Sequence, residues 1–286
     1  MSRLVLIVGL LLSVAVSASS QQRPLLTDDI DITPPGSLEI SAGVDFFQRS
    51  KFPLSGINGD LTRVGDIRVK TGLAPNVEIQ IEGTLQNFVS INSMGPSAIP
   101  LTVTGNSTND WDDFVISAKV KLRNETRYVP AIGMKFGYQM PNTDQAKGIG
   151  TNQINIFSKI ILQKRFARRA NYSRFTLFGN VGLGIMTAPL ERFTQNDVFL
   201  YGVAGNYRVN DRVSIVGEVN GRANMRSGGA PLGTESLSQL RIGTQIRASG
   251  LRFDTAGIIG LTKQSPQSGF TFGVTYVTPV ILKPAN

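Results

Sequence analysis

Long segments of strict apolar–polar alternation constrain this chain of 286 residues more than any other feature. From Val77 to Gln86, apolar or small side chains take every second position, and Glu78, Gln80 and Glu82 begin the polar set between them. Successive side chains of a β-strand point to opposite faces, so this segment predicts a strand with one apolar face and one polar face. Because the pattern recurs along the whole chain, we expect an all-β fold.

The alternation divides the chain into about twelve predicted strands. By residue number they are 37–48, 61–73, 76–88, 111–123, 128–140, 151–165, 174–187, 197–209, 212–224, 236–248, 251–262 and 268–279. Each has roughly 11–15 residues, more than the usual strand of a soluble sheet, and at a tilt of about 40° it would cross the apolar layer of an outer membrane.

The predicted connections alternate between long and short. Residues 49–60 and 89–110 form long connections, whereas 74–75 and 249–250 are short. Outer-membrane barrels have short periplasmic turns and longer outer loops in this order. The sequence therefore predicts an antiparallel up-and-down transmembrane β-barrel, with both ends of the barrel chain on the periplasmic side.

Residues 1–20 have the composition of a secretory signal peptide. Arg3 precedes an apolar run that ends at Val16, and small residues follow, so cleavage is expected after Ala18 or Ser20. Beyond residue 22 no apolar run approaches the roughly 20 residues of a membrane helix, and only a closed barrel could then span a bilayer. The predicted organisation is a signal peptide (1–20), a periplasmic N-terminal segment (21–36), the barrel (37–280) and a C-terminal tail (281–286). The acidic group Asp28, Asp29 and Asp31 is interpreted as a solvated part of the periplasmic segment.

Composition narrows the possible functions. The chain has no cysteine and no histidine, which excludes thiolate chemistry, histidine-based acid–base catalysis and histidine metal sites. We therefore expect no enzyme activity, no catalytic residue, no cofactor and no metal. The formal net charge is +9, but the basic residues form no single patch apart from the run 164–169, so nucleic acid is not an expected partner. The expected partners are outer-membrane lipid and a small-molecule solute; the oligomeric state stays open.

The polar faces of the predicted strands would line the barrel lumen. The lumen-lining basic residues are predicted to be Arg68, Lys70, Lys119, Lys121, Arg123, Lys135, Lys159, Arg222, Arg241, Arg247 and Arg252. The lumen-lining acidic residues are predicted to be Glu78, Glu82, Asp113, Glu218 and Asp254. Since the basic residues outnumber the acidic ones about two to one, we expect an open lumen to prefer anions. Lys119, Lys121, Arg241 and Arg247 are expected to remain unpaired and to contribute most.

Two parts of the chain resemble a known family. Gly65-Asp66 opens a strand that ends in Lys70, and a strand after Trp111 is followed by a second one that ends near Pro141-Asn142-Thr143. In these features the chain resembles outer-membrane transporters of the phenol-degradation MetA-pathway type. It departs from them at Asp112-Asp113, where the family has Gly-Asp, and in lacking the closing glycine and a terminal aromatic residue. The resemblance implies uptake of small organic compounds, but it carries over no residue's role.

The sequence thus favours an exported protein of the bacterial outer membrane that acts as a passive channel or transporter for a small anionic or aromatic solute. Side chains fill small barrels and only wide barrels leave an aqueous channel, so a structural or adhesive surface barrel with a closed lumen is an alternative. A soluble secreted β-protein is a third possibility.

Overall fold

The computed structural model describes residues 23–168, 173–191, 195–227 and 229–282. The predicted signal peptide and the last four residues of the predicted tail lie outside these ranges. The strands are β1 (Leu38–Phe52), β2 (Ile57–Ala74), β3 (Val77–Met94), β4 (Ser107–Asp110), β5 (Val115–Arg123), β6 (Ala131–Gln139), β7 (Asn155–Arg168), β8 (Ser173–Thr187), β9 (Gln195–Arg208), β10 (Val213–Asn224), β11 (Leu237–Ala248), β12 (Leu251–Gly260) and β13 (Ser268–Val277).

These strands form one closed antiparallel barrel. Each strand pairs with its neighbours in the chain, except that β3 pairs with β5 and the short β4 adds to the outer part of β3. The first and last strands close the ring through a ladder that runs from Glu39 opposite Val277 to Gln48 opposite Ser268. Twelve of the 13 strands therefore make up the ring, which confirms the predicted fold class. A closed ring leaves no unpaired edge strand.

The prediction differs from the structure mainly at the predicted long connections. Residues 49–60 belong largely to β1 and β2, which continue to a tight turn where the amides of Ser55 and Gly56 donate to the Phe52 carbonyl. Gly56 has a φ of 71°, so the glycine permits the left-handed turn conformation that closes this hairpin. In the same way β3 extends to Met94, and β4 lies inside the predicted loop 89–110.

The predicted strand 111–123 begins only at Val115, because aspartate side chains take up the backbone amides before it. Asp110 accepts a hydrogen bond from the Trp111 amide and Asp112 accepts one from the Asp113 amide, both at 2.9 Å. Such local side-chain bonds compete with the strand ladder for the same donors.

The two faces of the barrel wall differ sharply in exposure. Ile242 is 60% exposed while the adjacent Arg241 is 4% exposed, and Ile81 is 45% exposed while Gln80 is fully buried. An apolar exterior around a polar interior is the arrangement that a lipid environment requires of a spanning barrel. Among the described residues, no helix has the length and apolarity to cross a membrane; Gln145–Lys147 form a single short 3-10 turn.

The lengths of the connections distinguish the two ends of the barrel. At one end, which we call the short-turn end, residues 75–76 and 249–250 join consecutive strands. At the other, the long-loop end, ring strands are connected by residues 95–114, which include β4, and by residues 140–154 and 225–236, although β1 and β2 are joined there by a tight turn. Short turns at one end and longer loops at the other correspond to the periplasmic and outer sides of outer-membrane barrels.

Single cysteines should report the two faces of the wall, since the chain has no native cysteine. A cysteine at Ile242 should react with a lipid-soluble maleimide but not with a water-soluble one, because that position faces outward. A cysteine at Gln80 should resist both reagents because the native side chain is fully buried.

A cysteine at the exposed Arg127, in the turn after β5, serves as the water-accessible control. Labelling of the Ile242 position by the water-soluble reagent, or equal labelling of the Ile242 and Gln80 positions by the lipid-soluble one, would contradict the assigned faces.

Candidate functional site: a lumen occupied by residues 23–36

Residues 23–36, which we call the inner segment, lie inside the barrel. The segment begins at Arg23, beside Asp45 and Asp66 midway along β1 and β2, and ends at Gly36, whose amide donates to the Gly72 carbonyl at the short-turn end. Asp28 and Asp29 are 3% and 1% exposed. The expectation that the acidic group is solvated is therefore wrong.

The carboxylates of the inner segment pair with basic side chains of the barrel wall. Asp28 accepts hydrogen bonds from Lys135 at 2.9 Å and Lys159 at 2.5 Å. Asp29 lies 3.1 Å from the Nζ atom of Lys119. Lys119 and Lys135 also pair with Glu78 and Glu82 of the wall, at 3.1 and 3.5 Å. The segment thus adds countercharge to cations whose burial without compensation would be strongly destabilising.

Asp31 extends this charge pairing toward β7. Both of its carboxylate oxygens accept hydrogen bonds from Nη2 of Arg165, at 2.5 and 2.6 Å. The main-chain carbonyl of Asp31 accepts a further bond from Lys119 at 2.6 Å. Lys119 is thus held by both the side chain of Asp29 and the backbone two residues later.

Wall carboxylates and amides in turn bind the backbone of the inner segment. Glu218 accepts the amides of Leu26 and Thr27, both at 2.8 Å, one on each carboxylate oxygen. Glu78 accepts the Thr33 amide at 2.6 Å. The segment has no ladder of its own, so these side chains satisfy backbone groups that would otherwise be buried without a partner.

Arg23 is the basic residue through which the inner segment contacts wall carboxylates. Its guanidinium forms ion pairs with Asp66, with Asp45 at 3.7 Å and with Asp254 at 3.4 Å. A Cβ atom at Gly43 or Gly273 would overlap this guanidinium. Glycine in a strand interior often marks the close approach of another chain segment, and here it leaves room for Arg23.

Apolar residues of the segment fill two pockets in the polar wall. Leu25 packs with Phe178, Ala204 and Val216, and Ile30 packs with Ala131 and Ile161. Leu25 and Ile30 are 2% and 0% exposed, and burial of such side chains contributes about 1.5–3 kcal/mol each.

Seven of the sixteen predicted lumen residues lie against this segment. Lys119, Lys135, Lys159, Arg241, Glu78, Glu218 and Asp254 contact it directly. The expectation that Lys119 and Arg241 are unpaired is wrong, because Lys119 pairs with Asp29 and Glu78, and Arg241 lies 3.8 Å from Glu218.

Other predicted residues pair within the wall or lie at its ends. Arg68 forms an ion pair with Glu82 at 2.6 Å, and Lys70 forms one with Glu39 at 2.8 Å. Asp113 accepts the amides of Asn142 and Thr143 and so anchors a long loop.

Two predicted residues of β5 are not brought into this charge network. Lys121 is half-buried near the short-turn end, and Arg123 is exposed beyond a bulge, where it lies opposite Ile132. The remaining three, Arg222, Arg247 and Arg252, lie near the ends of the lumen and are considered below.

The sequence prediction omitted several charged residues that the structure places in the lumen. They are Arg23, Asp28, Asp29, Asp31, Glu39, Asp45, Arg63, Asp66 and Arg165. Because most of the added residues are acidic, the lumen is closer to neutral than the prediction assumed. Within the described ranges, no group of three or more potential metal ligands could hold an ion.

Above the inner segment a cavity of about 530 Å³ lies toward the long-loop end. Leu26 and Thr27 of the segment contribute to its lining. Its apolar lining includes Phe47, Leu61, Ile149, Leu200 and Leu237, and its polar lining includes Arg63, Asn87, Asp112, Lys159, Asn180, Asn220, Arg222, Gln239 and Arg241. The lumen is therefore divided into an amphipathic cavity and a filled part below it.

The architecture matches that of a known barrel. An outer membrane channel from Pseudomonas putida F1 superposes with a TM-score of 0.60 at 13% identity, over 87% of this chain and 97% of that one. The chain has the fold of an outer-membrane β-barrel. Looser similarities are to the translocator domain of the autotransporter NalP from Neisseria meningitidis (TM-score 0.47, 10% identity, 96% and 95% covered) and to the CymD monoaromatic hydrocarbon channel (0.43, 9%, 87% and 88%). No protein-family profile and no curated protein sequence matches the chain.

Replacing Asp28 by asparagine should destabilise the protein by about 3 kcal/mol, because Lys135 and Lys159 would lose a buried countercharge. The free energy of unfolding in urea, measured on the refolded protein, would report the loss. The matched control is Glu191→Gln, which breaks an exposed pair with Arg226 and should cost less than about 1 kcal/mol. Equal effects of the two changes would contradict a buried role for Asp28.

Proposed function

We propose that the protein is an outer-membrane channel for small solutes and that the inner segment closes its lumen. The observation that carries this proposal is the cavity of about 530 Å³, which has Leu26 and Thr27 of that segment in its lining. A solute that enters from the long-loop end can occupy the cavity, but passage to the short-turn end requires the segment to move. The contacts that hold the segment are hydrogen bonds, ion pairs and two small apolar clusters, all of which can break without covalent change.

The cavity favours a small solute that combines an anionic group with an apolar or aromatic part. Phe47, Leu61 and Leu200 supply apolar surface. Arg63 is held by Asp112 at 2.5 Å, and Arg241 by the Pro24 carbonyl at 3.0 Å.

Arg222 has no carboxylate ion pair within the described chain; its guanidinium donates to the carbonyls of Glu235 and Gly233, at 2.9 and 3.4 Å. Backbone carbonyls orient this cation without neutralising it, which leaves its charge for a solute. The resemblance to phenol-degradation transporters is consistent with a small organic solute.

Deletion of residues 23–33 should raise the conductance of the refolded protein in a planar bilayer several-fold, because the filled part of the lumen would become aqueous. The intact protein should show little or no steady current. Heat-modifiable migration in detergent gels would establish that the deletion variant still folds as a barrel.

A point substitution tests the same idea with less disturbance. The three atoms nearest to a Cβ atom at Gly202 all belong to Thr27 of the inner segment, the closest at 2.7 Å, so Gly202→Leu should displace the segment and raise the conductance. Gly257→Leu is the matched control, since a Cβ atom there meets nothing within 4 Å, and it should leave the conductance unchanged.

Arg222→Gln should reduce the anion preference of the conducting deletion variant, because it removes the cation that lacks a carboxylate partner. Reversal potentials in a salt gradient would measure this, and the effect should weaken at high salt as screening increases. Arg226→Gln, which changes an exposed arginine of the same loop region, should have a smaller effect. A larger shift from the Arg226 variant would argue against Arg222 as the solute-binding cation.

A structural or adhesive surface barrel with a permanently closed lumen is the second candidate. The number of buried contacts between the inner segment and the wall favours it, since each contact opposes opening. Absence of conductance from the deletion variant as well as from the intact protein would support this candidate over the channel. A soluble secreted protein fits poorly, because Ile242 and Val203 are 60% and 59% exposed on the outer face.

A further inference from the structure

Three arginines face inward at the short-turn end of the lumen, within the four consecutive strands β9 to β12. Arg208 ends β9, Arg247 lies near the end of β11 and Arg252 near the start of β12. Arg247 and Arg252 are directly opposite each other in the β11–β12 ladder. Side chains in this relation have Cβ atoms about 5 Å apart, and like charges there repel each other.

Two carboxylates close to this group in sequence do not form ion pairs with Arg247 or Arg252. Asp254, two residues after Arg252, forms its ion pair with Arg23. Asp211 lies 3.3 Å from Arg208, but its side chain is 81% exposed in the turn. Across the described ranges, no ion pair joins a carboxylate to Arg247 or Arg252.

Several buried polar atoms of this group also lack hydrogen-bond partners. Arg252 is 7% exposed, and although its Nη2 donates to Thr275 at 3.0 Å, its Nε has no partner. Nη1 of Arg247 and Oγ of Ser214 are unpartnered as well, and Ser214 lies opposite Arg208 in the β9–β10 ladder. A buried donor without an acceptor is costly, so a ligand that supplies acceptors would be favoured here.

We propose that Arg208, Ser214, Arg247 and Arg252 form a binding site for a small oxyanion such as phosphate. Guanidinium groups are forked donors that match the oxygens of phosphate and similar anions, and one bound anion would offset the repulsion between Arg247 and Arg252. The side chains face the lumen and not the lipid, so the ligand comes from the aqueous space at the short-turn end. This site is separate from the cavity at the long-loop end. Binding of an oxyanion at the arginines does not depend on passage of a solute through the barrel.

The test uses the full-length refolded protein in detergent, with inorganic phosphate and chloride compared at constant ionic strength. Phosphate should raise the unfolding temperature in a saturable manner, since a ligand that binds only the folded state stabilises it. Chloride should not produce this saturable shift. Isothermal titration with phosphate supplies the dissociation constant independently of unfolding.

Substitution of one arginine should change the unfolding temperature in opposite directions with and without phosphate. Without phosphate, Arg247→Gln should unfold at a higher temperature than the original protein, because one of two repelling charges is gone. With saturating phosphate it should unfold at a lower temperature, and its affinity for phosphate should fall at least tenfold. Arg247→Lys, which keeps the charge but not the forked donors, should lose affinity to an intermediate degree.

Arg127→Gln is the matched control. It removes the same charge from a turn at the same end of the barrel, but half the ring away from β11 and β12. Its response to phosphate should equal that of the original protein. Equal responses of the original protein to phosphate and chloride would overturn the site, as would an equal loss of phosphate binding in the Arg127 and Arg247 variants.

Discussion

The pairing of inward-facing charges with the inner segment is the interaction on which the rest of this structure depends. A barrel in lipid must turn its polar side chains inward, and there the basic ones need countercharges. Lys119, Lys135 and Lys159 obtain theirs partly or wholly from Asp28 and Asp29, outside the barrel strands. The charges of the wall and of the inner segment therefore compensate each other, and removal of either would leave charges of the other without part of their compensation.

The inner segment compensates the basic side chains to different degrees at the two ends of the lumen. Toward the long-loop end the segment leaves a cavity whose cations are partly satisfied, so a solute can be accommodated with modest rearrangement. Toward the short-turn end the arginines of β11 and β12 remain beyond the reach of the segment's carboxylates. The molecule thus has two positively charged regions separated by a neutralised middle, an order that follows from where the acidic residues lie in the segment.

Period-two alternation was sufficient to predict the twelve ring strands, because each of them has to separate lipid from a polar interior. It was insufficient for the inner segment, since residues 23–36 have no period and their conformation is set by distant side chains. Val216 breaks the alternation of β10, and the structure explains why: this inward apolar side chain packs against Leu25. Gly43 lies on the polar face of β1, where the guanidinium of Arg23 approaches the wall closely. Alternation counts such a glycine only as a small residue and does not predict that another part of the chain packs there.

The position of the inner segment also bears on how the chain can fold. Leu26 reaches Glu218 across 192 residues of sequence, and Arg23 reaches Thr271 across 248. Contacts between such distant residues form slowly, because a large loop must close before they contribute any stability. The segment precedes β1, which is also the strand that closes the ring against β13. Its full set of contacts therefore exists only once the last strands are in place, which makes insertion of the inner segment a late step of assembly.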